Sequence, residues 1–87
     1  MKIKDGFVLR EVAGSYIVVA VGEAVKTFKG IVNLNETGAF LWKILEKGAT
    51  KDEMLKKLLA EYDVDEETAK ADIDGFVNKL QEAKLVK

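Results

Sequence analysis

The 87-residue sequence contains no cysteine, no histidine and no proline. Without cysteine there is no disulfide, no thiol nucleophile and no thiolate ligand for a metal ion. Without histidine the most common general base near neutral pH is missing, and a zinc site would have to be built from carboxylates alone. These absences argue against catalysis. We therefore predict a protein that is not an enzyme and that uses no metal and no cofactor.

An excess of one charge and a long apolar run are also missing. The chain has 14 basic and 15 acidic residues, a net charge of −1, so no overall field attracts nucleic acid or an anionic membrane. The longest apolar run, from Tyr16 to Val21, is too short to span a bilayer, and the N-terminus lacks the apolar region of a signal peptide. We expect a cytoplasmic protein with no nucleic-acid partner and no membrane partner.

Three segments have the composition of β-strands. Residues from Phe7 to Val12 and from Ser15 to Val21 are rich in β-branched side chains, which favour extended structure. Ala13-Gly14 between them suits a tight hairpin turn. A longer connection, Gly22 to Lys29, leads to a third strand predicted from Gly30 to Leu34. The pattern predicts a three-stranded antiparallel meander.

Three helices follow the strands, each with a recognisable start. Asn35 is a good N-cap for a helix from Glu36 to about Glu46. Thr50 and Glu53 form a capping-box pattern for a second helix that ends near Tyr62. Asp65 is placed to cap a third helix that runs through most of the remaining chain.

The length and the order of these elements indicate the fold class. A chain of 87 residues is long enough for one domain, and we predict a single domain over residues 1–87. Strands followed by helices indicate an α+β fold. The predicted architecture is a three-stranded antiparallel β-meander followed by three helices, similar to a winged helix-turn-helix.

The third strand is the most informative element for function. In a meander it lies at an edge of the sheet, where its outer N–H and C=O groups lack partners. Between Gly30 and Asn35 there is no charge and no proline, although proteins commonly use both to protect such edges. Either the C-terminal helix covers this edge, or the edge is open to receive a peptide as an added strand. An open edge could also pair with a second copy and form a homodimer.

A winged-helix fold also suggests a DNA-binding or regulatory protein as an alternative. The charges argue against it, because the segment from Asp65 to Lys84 contains six acidic residues and three lysines. The only arginine is Arg10, on the first strand, whereas a reader of the major groove needs basic side chains on its recognition helix. A purely structural subunit that binds an enzyme and no peptide is a third possibility.

Several segments in the same order resemble the PqqD family. They are the junction from Leu34 to Trp42, the segment from Leu58 to Val64, and the ending from Asp72 to Leu80 followed by Leu85-Val86. Members of that family recognise the leader region of ribosomally synthesised, post-translationally modified peptides. They present the precursor to a modifying enzyme, often a radical S-adenosylmethionine (radical SAM) protein.

The resemblance also implies where a leader peptide would bind. In the family the leader is added beside the third strand and lies in a groove against the third helix. The corresponding positions in this sequence are Ile31, Val32, Asn33 and Leu34 on the strand, with Asp72, Ile73, Phe76, Val77, Lys79 and Leu80 on the helix. Helical periodicity alone leaves open which side of the third helix faces the groove.

Overall fold

The computed structural model describes residues 1–28 and 30–87, in which three antiparallel strands are followed by three helices. The strands are β1 (Phe7–Val12), β2 (Ser15–Ala20) and β3 (Val32–Leu34), and they lie in the order β1-β2-β3 in one sheet. The predicted α+β class and the predicted meander are confirmed. β2 is central, as its apolar sequence requires.

The turn between β1 and β2 has the geometry expected of a two-residue hairpin. Ala13 and Gly14 have φ angles of 51° and 82°, both in the left-handed region. Two consecutive left-handed residues form a type I′ turn, whose twist matches that of the paired strands. The turn fixes the register of the hairpin, in which Val12 lies opposite Ser15.

The connection from β2 to β3 differs from the prediction. Residues Gly22–Lys26 form a short 3-10 helix, and β3 starts at Val32 rather than at Gly30. The strand is short because it pairs with only three residues of β2, from Tyr16 to Val18. Lys29, the last residue of the predicted connection, lies outside the described residues.

The helices are α1 (Glu36–Glu46), α2 (Lys51–Glu61) and α3 (Glu66–Glu82), and all three predicted N-caps are confirmed. The Asn35 Oδ1 atom accepts a hydrogen bond from the Gly38 N–H at 2.7 Å. Thr50 heads a complete capping box. The Asp65 Oδ1 atom accepts from the Thr68 N–H at 2.6 Å, which fixes the start of the longest helix.

The core lies between the sheet and the helices, and α1 runs through its centre. Trp42, Leu41 and Leu45 of α1 are fully buried, because apolar residues occupy about half of the circumference of this helix. They belong to one cluster with residues of the sheet and the other helices, including Val18, Met54, Leu58, Ile73, Val77 and Leu80. Among the described residues, no helix combines the length and the apolar character needed to cross a bilayer.

The two chain ends pair with each other. The Lys4 N–H donates to the Leu85 carbonyl at 2.8 Å, and the Lys87 N–H donates to the Lys2 carbonyl at 2.8 Å. Ile3 and Val86 form an isolated antiparallel bridge between these hydrogen bonds. The C-terminal residues therefore pair with the N-terminal segment and not with β3.

The cap of α3 predicts a pH dependence of stability. The hydrogen bond from the Thr68 backbone lowers the pKa of Asp65 below its usual value of 3.8. A carboxylate with a lowered pKa in the folded state stabilises the fold above the unfolded pKa, and this stabilisation is lost as the pH falls through the folded pKa. We therefore expect an Asp65→Asn variant, which keeps the acceptor but cannot titrate, to lose less unfolding free energy between pH 5 and pH 2.

Urea denaturation at several pH values would measure this difference. Asp63→Asn is the matched control, because Asp63 is a neighbouring carboxylate that caps no helix. Identical acid dependence in the wild type and the Asp65→Asn variant would contradict the prediction.

Candidate functional site

The side chains of β3 alternate between the core and the solvent. Val32 and Leu34 are 8% and 9% exposed, whereas Asn33 between them is exposed. This alternation is the period of two expected for a strand with one buried face. It leaves Asn33 as the residue of β3 whose side chain points away from the core.

The backbone groups of β3 also alternate, and their direction follows from the register. The Val21 N–H donates to the Gly6 carbonyl at 2.8 Å, next to the pair Phe7–Ala20. In an antiparallel ladder, hydrogen-bonded pairs recur every two residues, so the odd-numbered residues of β2 bond to β1. The even-numbered residues Tyr16 and Val18 then bond to β3.

The partners of those two residues are Leu34 and Val32. The backbone groups of Leu34 and Val32 therefore face β2, and the N–H and C=O of Asn33 face the opposite side. No other described strand pairs with β3 on that side. The outward N–H and C=O of Asn33 are the groups that an added strand would use.

One of these two groups is occupied by a side chain of α3. The Lys79 Nζ atom donates a hydrogen bond to the Asn33 carbonyl oxygen at 2.6 Å. This contact supports the outward direction of the carbonyl, because it reaches β3 from outside the sheet. The C-terminal helix thus contributes one side chain to the edge but no backbone pairing.

A cleft of about 250 Å³ opens between the end of β3, the first turns of α1 and the middle of α3. Its lining residues are Leu34, Asn35, Thr37, Gly38, Leu41, Ala71, Asp72, Gly75, Phe76 and Lys79. On α3 the spacing of these residues follows one face of the helix. The cleft therefore lies directly beside the edge of β3, where side chains of an added strand could enter it.

Two of the lining residues carry charge, Asp72 and Lys79. They have opposite signs, so the cleft has no net charge from its walls. Among the described residues, no group of three or more acidic side chains is close enough together to hold a metal ion. The arrangement offers backbone hydrogen bonds, an apolar wall and two opposite charges, which are features of a site that binds a peptide.

The structure sorts the ten predicted site residues into three sets. Asn33 lies on the open edge, and Ile31, which is 56% exposed, lies just before β3. Four more line the cleft: Leu34, Asp72, Phe76 and Lys79. The remaining four are buried in the core and do not line the cleft: Val32, Ile73, Val77 and Leu80. Leu34 and Phe76 are also largely buried, at 9% and 7% exposed, but they border the cleft. The face of α3 toward the cleft is therefore the one that carries Asp72, Phe76 and Lys79.

Six residues of the cleft were not among the predicted site residues. They are Asn35, Thr37, Gly38, Leu41, Ala71 and Gly75. Gly75 and Ala71 have a sequence signal, since two small residues four positions apart leave a depression on a helix. Nothing in the sequence places the first turns of α1 against α3, because that contact depends on how the helices cross.

A second, shallower depression lies at the other side of the end of β3. It has a volume of about 410 Å³, and it is lined by Gly14, Ser15, Tyr16, Asn33, Leu34, Asn35 and Glu36. The two depressions share Leu34 and Asn35.

Comparisons with known proteins identify a matching family and similar solved structures. The sequence profile of the family described as coenzyme PQQ synthesis protein D (PqqD) matches residues 8–86. The structure of TbiB1 in complex with the TbiA(beta) leader peptide is similar, with a TM-score of 0.79 and 25% identity over 100% of this chain and 95% of that chain. The lasso peptide synthetase B1, complexed with the leader peptide, has the same fold, with a TM-score of 0.75 and 20% identity over 99% and 95%. No curated protein matches the sequence.

Proposed function

Because the chain belongs to the PqqD family, we propose that it binds the leader region of a ribosomally synthesised precursor peptide. The leader is added as a strand to the open side of β3, and its side chains enter the cleft beside α3. The outward N–H and C=O of Asn33 carry this proposal, because they are backbone groups at an unpaired edge with a cleft next to them. The complex of TbiB1 with its leader peptide supports it, since that structure is similar along the full length of the chain.

The hydrogen-bonding groups of the edge set how the leader is held. Asn33 offers one donor and one acceptor, and a strand that continues past Ile31 would add another pair at the same spacing. Each backbone hydrogen bond contributes about 0.5–1.5 kcal/mol net. Backbone pairing is nearly independent of sequence, so specificity comes from side chains that enter the cleft beside Phe76.

The protein acts as a binding partner rather than as a catalyst. The residues of the cleft include no histidine and no cysteine, and the two charged side chains face a space suited to a peptide. We propose that the whole domain, residues 1–87, presents the bound precursor to a separate modifying enzyme, a radical SAM protein. We propose no nucleic-acid partner, because the cleft presents one lysine and one aspartate rather than a basic surface.

A second copy of the chain would compete for the same edge. An uncovered strand can pair with its counterpart in another molecule, and a homodimer formed through β3 would block the leader. We therefore propose that leader binding and edge-to-edge dimerisation exclude each other, because both use the edge of β3.

Titration of isotope-labelled protein with a leader peptide tests the proposal. The peptide would come from a short reading frame beside the gene, and a scrambled version of it would be the control. We expect the largest amide shift changes at Asn33 and at the cleft face of α3, around Asp72, Gly75 and Lys79. Exposed residues of α2 such as Lys57 should stay unchanged. Shifts confined to α2, or equal shifts with the scrambled peptide, would exclude this function.

A further inference from the structure

Lys79 places a positive charge on the free edge of β3. Its Nζ atom lies 2.6 Å from the Asn33 carbonyl oxygen. Among the described residues, no carboxylate oxygen lies within 4.0 Å of that atom. The other charge in the cleft, Asp72, lies seven residues earlier on α3, which is roughly 10 Å along the helix axis. Within the part of the chain that the structure describes, a neutral carbonyl is thus the only hydrogen-bond partner of the ammonium.

A strand added to β3 would run past this ammonium. Neighbouring strands lie about 4.8 Å apart. The backbone of the added peptide, which we call the guest, would therefore occupy the region into which the Asn33 carbonyl points. The guest N–H opposite Asn33 would donate to the same oxygen that Lys79 holds. The ammonium therefore either shares the oxygen or moves off it, and in both cases it ends beside the guest strand.

We propose that Lys79 makes the site selective for guest peptides with an aspartate or glutamate in the segment that pairs with β3. A carboxylate there replaces the carbonyl as the partner of the ammonium, and its negative charge adds a Coulomb attraction that the neutral carbonyl does not supply. A guest with a neutral side chain leaves the ammonium without an equal partner, and a guest with lysine or arginine brings like charges together. The inference rests on the proposed function and names the class of peptide that the same site takes.

The sequence of β3 itself agrees with this selectivity. No residue from 30 to 35 is acidic, so a second copy that pairs edge to edge brings no carboxylate in that segment to either lysine. The Lys79 ammonium groups of both copies would then lie beside the two paired β3 strands. Lys79 thus favours an acidic guest peptide over a second copy of the chain.

Selection from a random peptide library tests the inference without knowledge of the natural leader. Peptides of about twelve residues, longer than a typical strand, would be displayed and selected separately on the wild type, on Lys79→Met and on Asn33→Pro. Methionine keeps the unbranched stem and the helix propensity of lysine but removes the charge and the donors. We expect acidic residues to be enriched at one position at least about threefold in the wild-type pool relative to the Lys79→Met pool.

A double-mutant cycle on one selected peptide then isolates the contact. Replacing its acidic residue by the matching amide should raise the Kd for the wild type about two- to fivefold, the range of an exposed ion pair, and should leave the Kd for Lys79→Met nearly unchanged. The difference should shrink at high ionic strength, because the contact is exposed and screened by salt.

The outcomes separate this inference from the function on which it rests. Equal acidic content in the two pools, or equal loss with the amide peptide for both proteins, would overturn the role of Lys79. If peptides from the wild-type pool bind Asn33→Pro as tightly, they do not use the edge of β3, and the proposed function fails as well.

Discussion

Replacing Asn33 with proline is expected to weaken leader binding strongly while the domain remains folded. The Asn33 N–H faces away from β2, so its loss removes no hydrogen bond within the sheet. Proline removes the N–H donor that the added strand would use, and its ring lies where the guest backbone would lie. We expect the Kd for the leader to rise at least about tenfold, which corresponds to about 1.4 kcal/mol. Fluorescence anisotropy with a labelled leader would measure it.

Two further variants make this result interpretable. Asn33→Ala keeps the backbone donor and should bind within about twofold of the wild type if backbone pairing dominates recognition. Val32→Pro removes an N–H that faces β2 and leaves its partner in the sheet unsatisfied, so it should lower the unfolding free energy by about 1–3 kcal/mol. Unchanged leader affinity in a folded Asn33→Pro protein would show that the leader does not pair with β3.

Replacing Gly75 with leucine is expected to stabilise the domain and to block the cleft. Gly75 lies in the middle of α3, where glycine costs about 0.8–1.0 kcal/mol relative to alanine. A Cβ atom at this position would meet nothing within 4 Å, so the fold does not require glycine here. The added side chain would extend into the cleft of about 250 Å³ that Gly75 lines.

We therefore expect two effects of opposite sign in one protein. The unfolding free energy should rise by roughly 0.5–1 kcal/mol, since leucine is a good helix former. The Kd for the leader should rise at least about tenfold, because a leader side chain can no longer enter beside Phe76. Denaturant unfolding and calorimetric titration give the two quantities.

The matched control introduces the same residue elsewhere on the same helix. Asn78 is exposed on α3 and does not line the cleft, so Asn78→Leu should leave the affinity unchanged. A Gly75→Leu protein that is more stable and binds the leader normally would place the peptide outside this cleft. A destabilised one would show that the space beside Gly75 is needed by the fold.

Most of the secondary structure could be predicted from local signals. Asn35, Thr50 and Asp65 each cap a helix as predicted, because a cap depends on a side chain and the backbone within the next three residues. The start of β3 could not be predicted. β2 continues to Ala20, beyond its last pair with β3 at Val18 and Val32. The start of β3 is therefore set by where the connection joins the sheet, which depends on the tertiary structure.

The candidate site was predicted less completely than the fold. Helical periodicity grouped Ile73, Val77 and Leu80 with Phe76 as apolar positions of α3, but it does not distinguish the core from the wall of a cleft. The packing of α3 against the rest of the core, with α2 as its main helical neighbour, decides that distinction. It buries Ile73, Val77 and Leu80 away from the cleft, while Asp72 and Lys79 stay at the surface. The contact from Lys79 to Asn33 joins residues that are 46 positions apart, so no local pattern could reveal it.

The sequence by itself determined the elements and their order, because caps, turns and hydrophobic periods act over a few neighbouring residues. Its lack of cysteine and histidine also limited the chemistry that the protein can perform. Only the tertiary structure decided that the C-terminal residues pair with the N-terminal segment, and that no described strand pairs with the outer side of β3. Only it decided which backbone atoms lie on that outer edge, since the direction of the Asn33 backbone depends on a register set by the hairpin of β1 and β2.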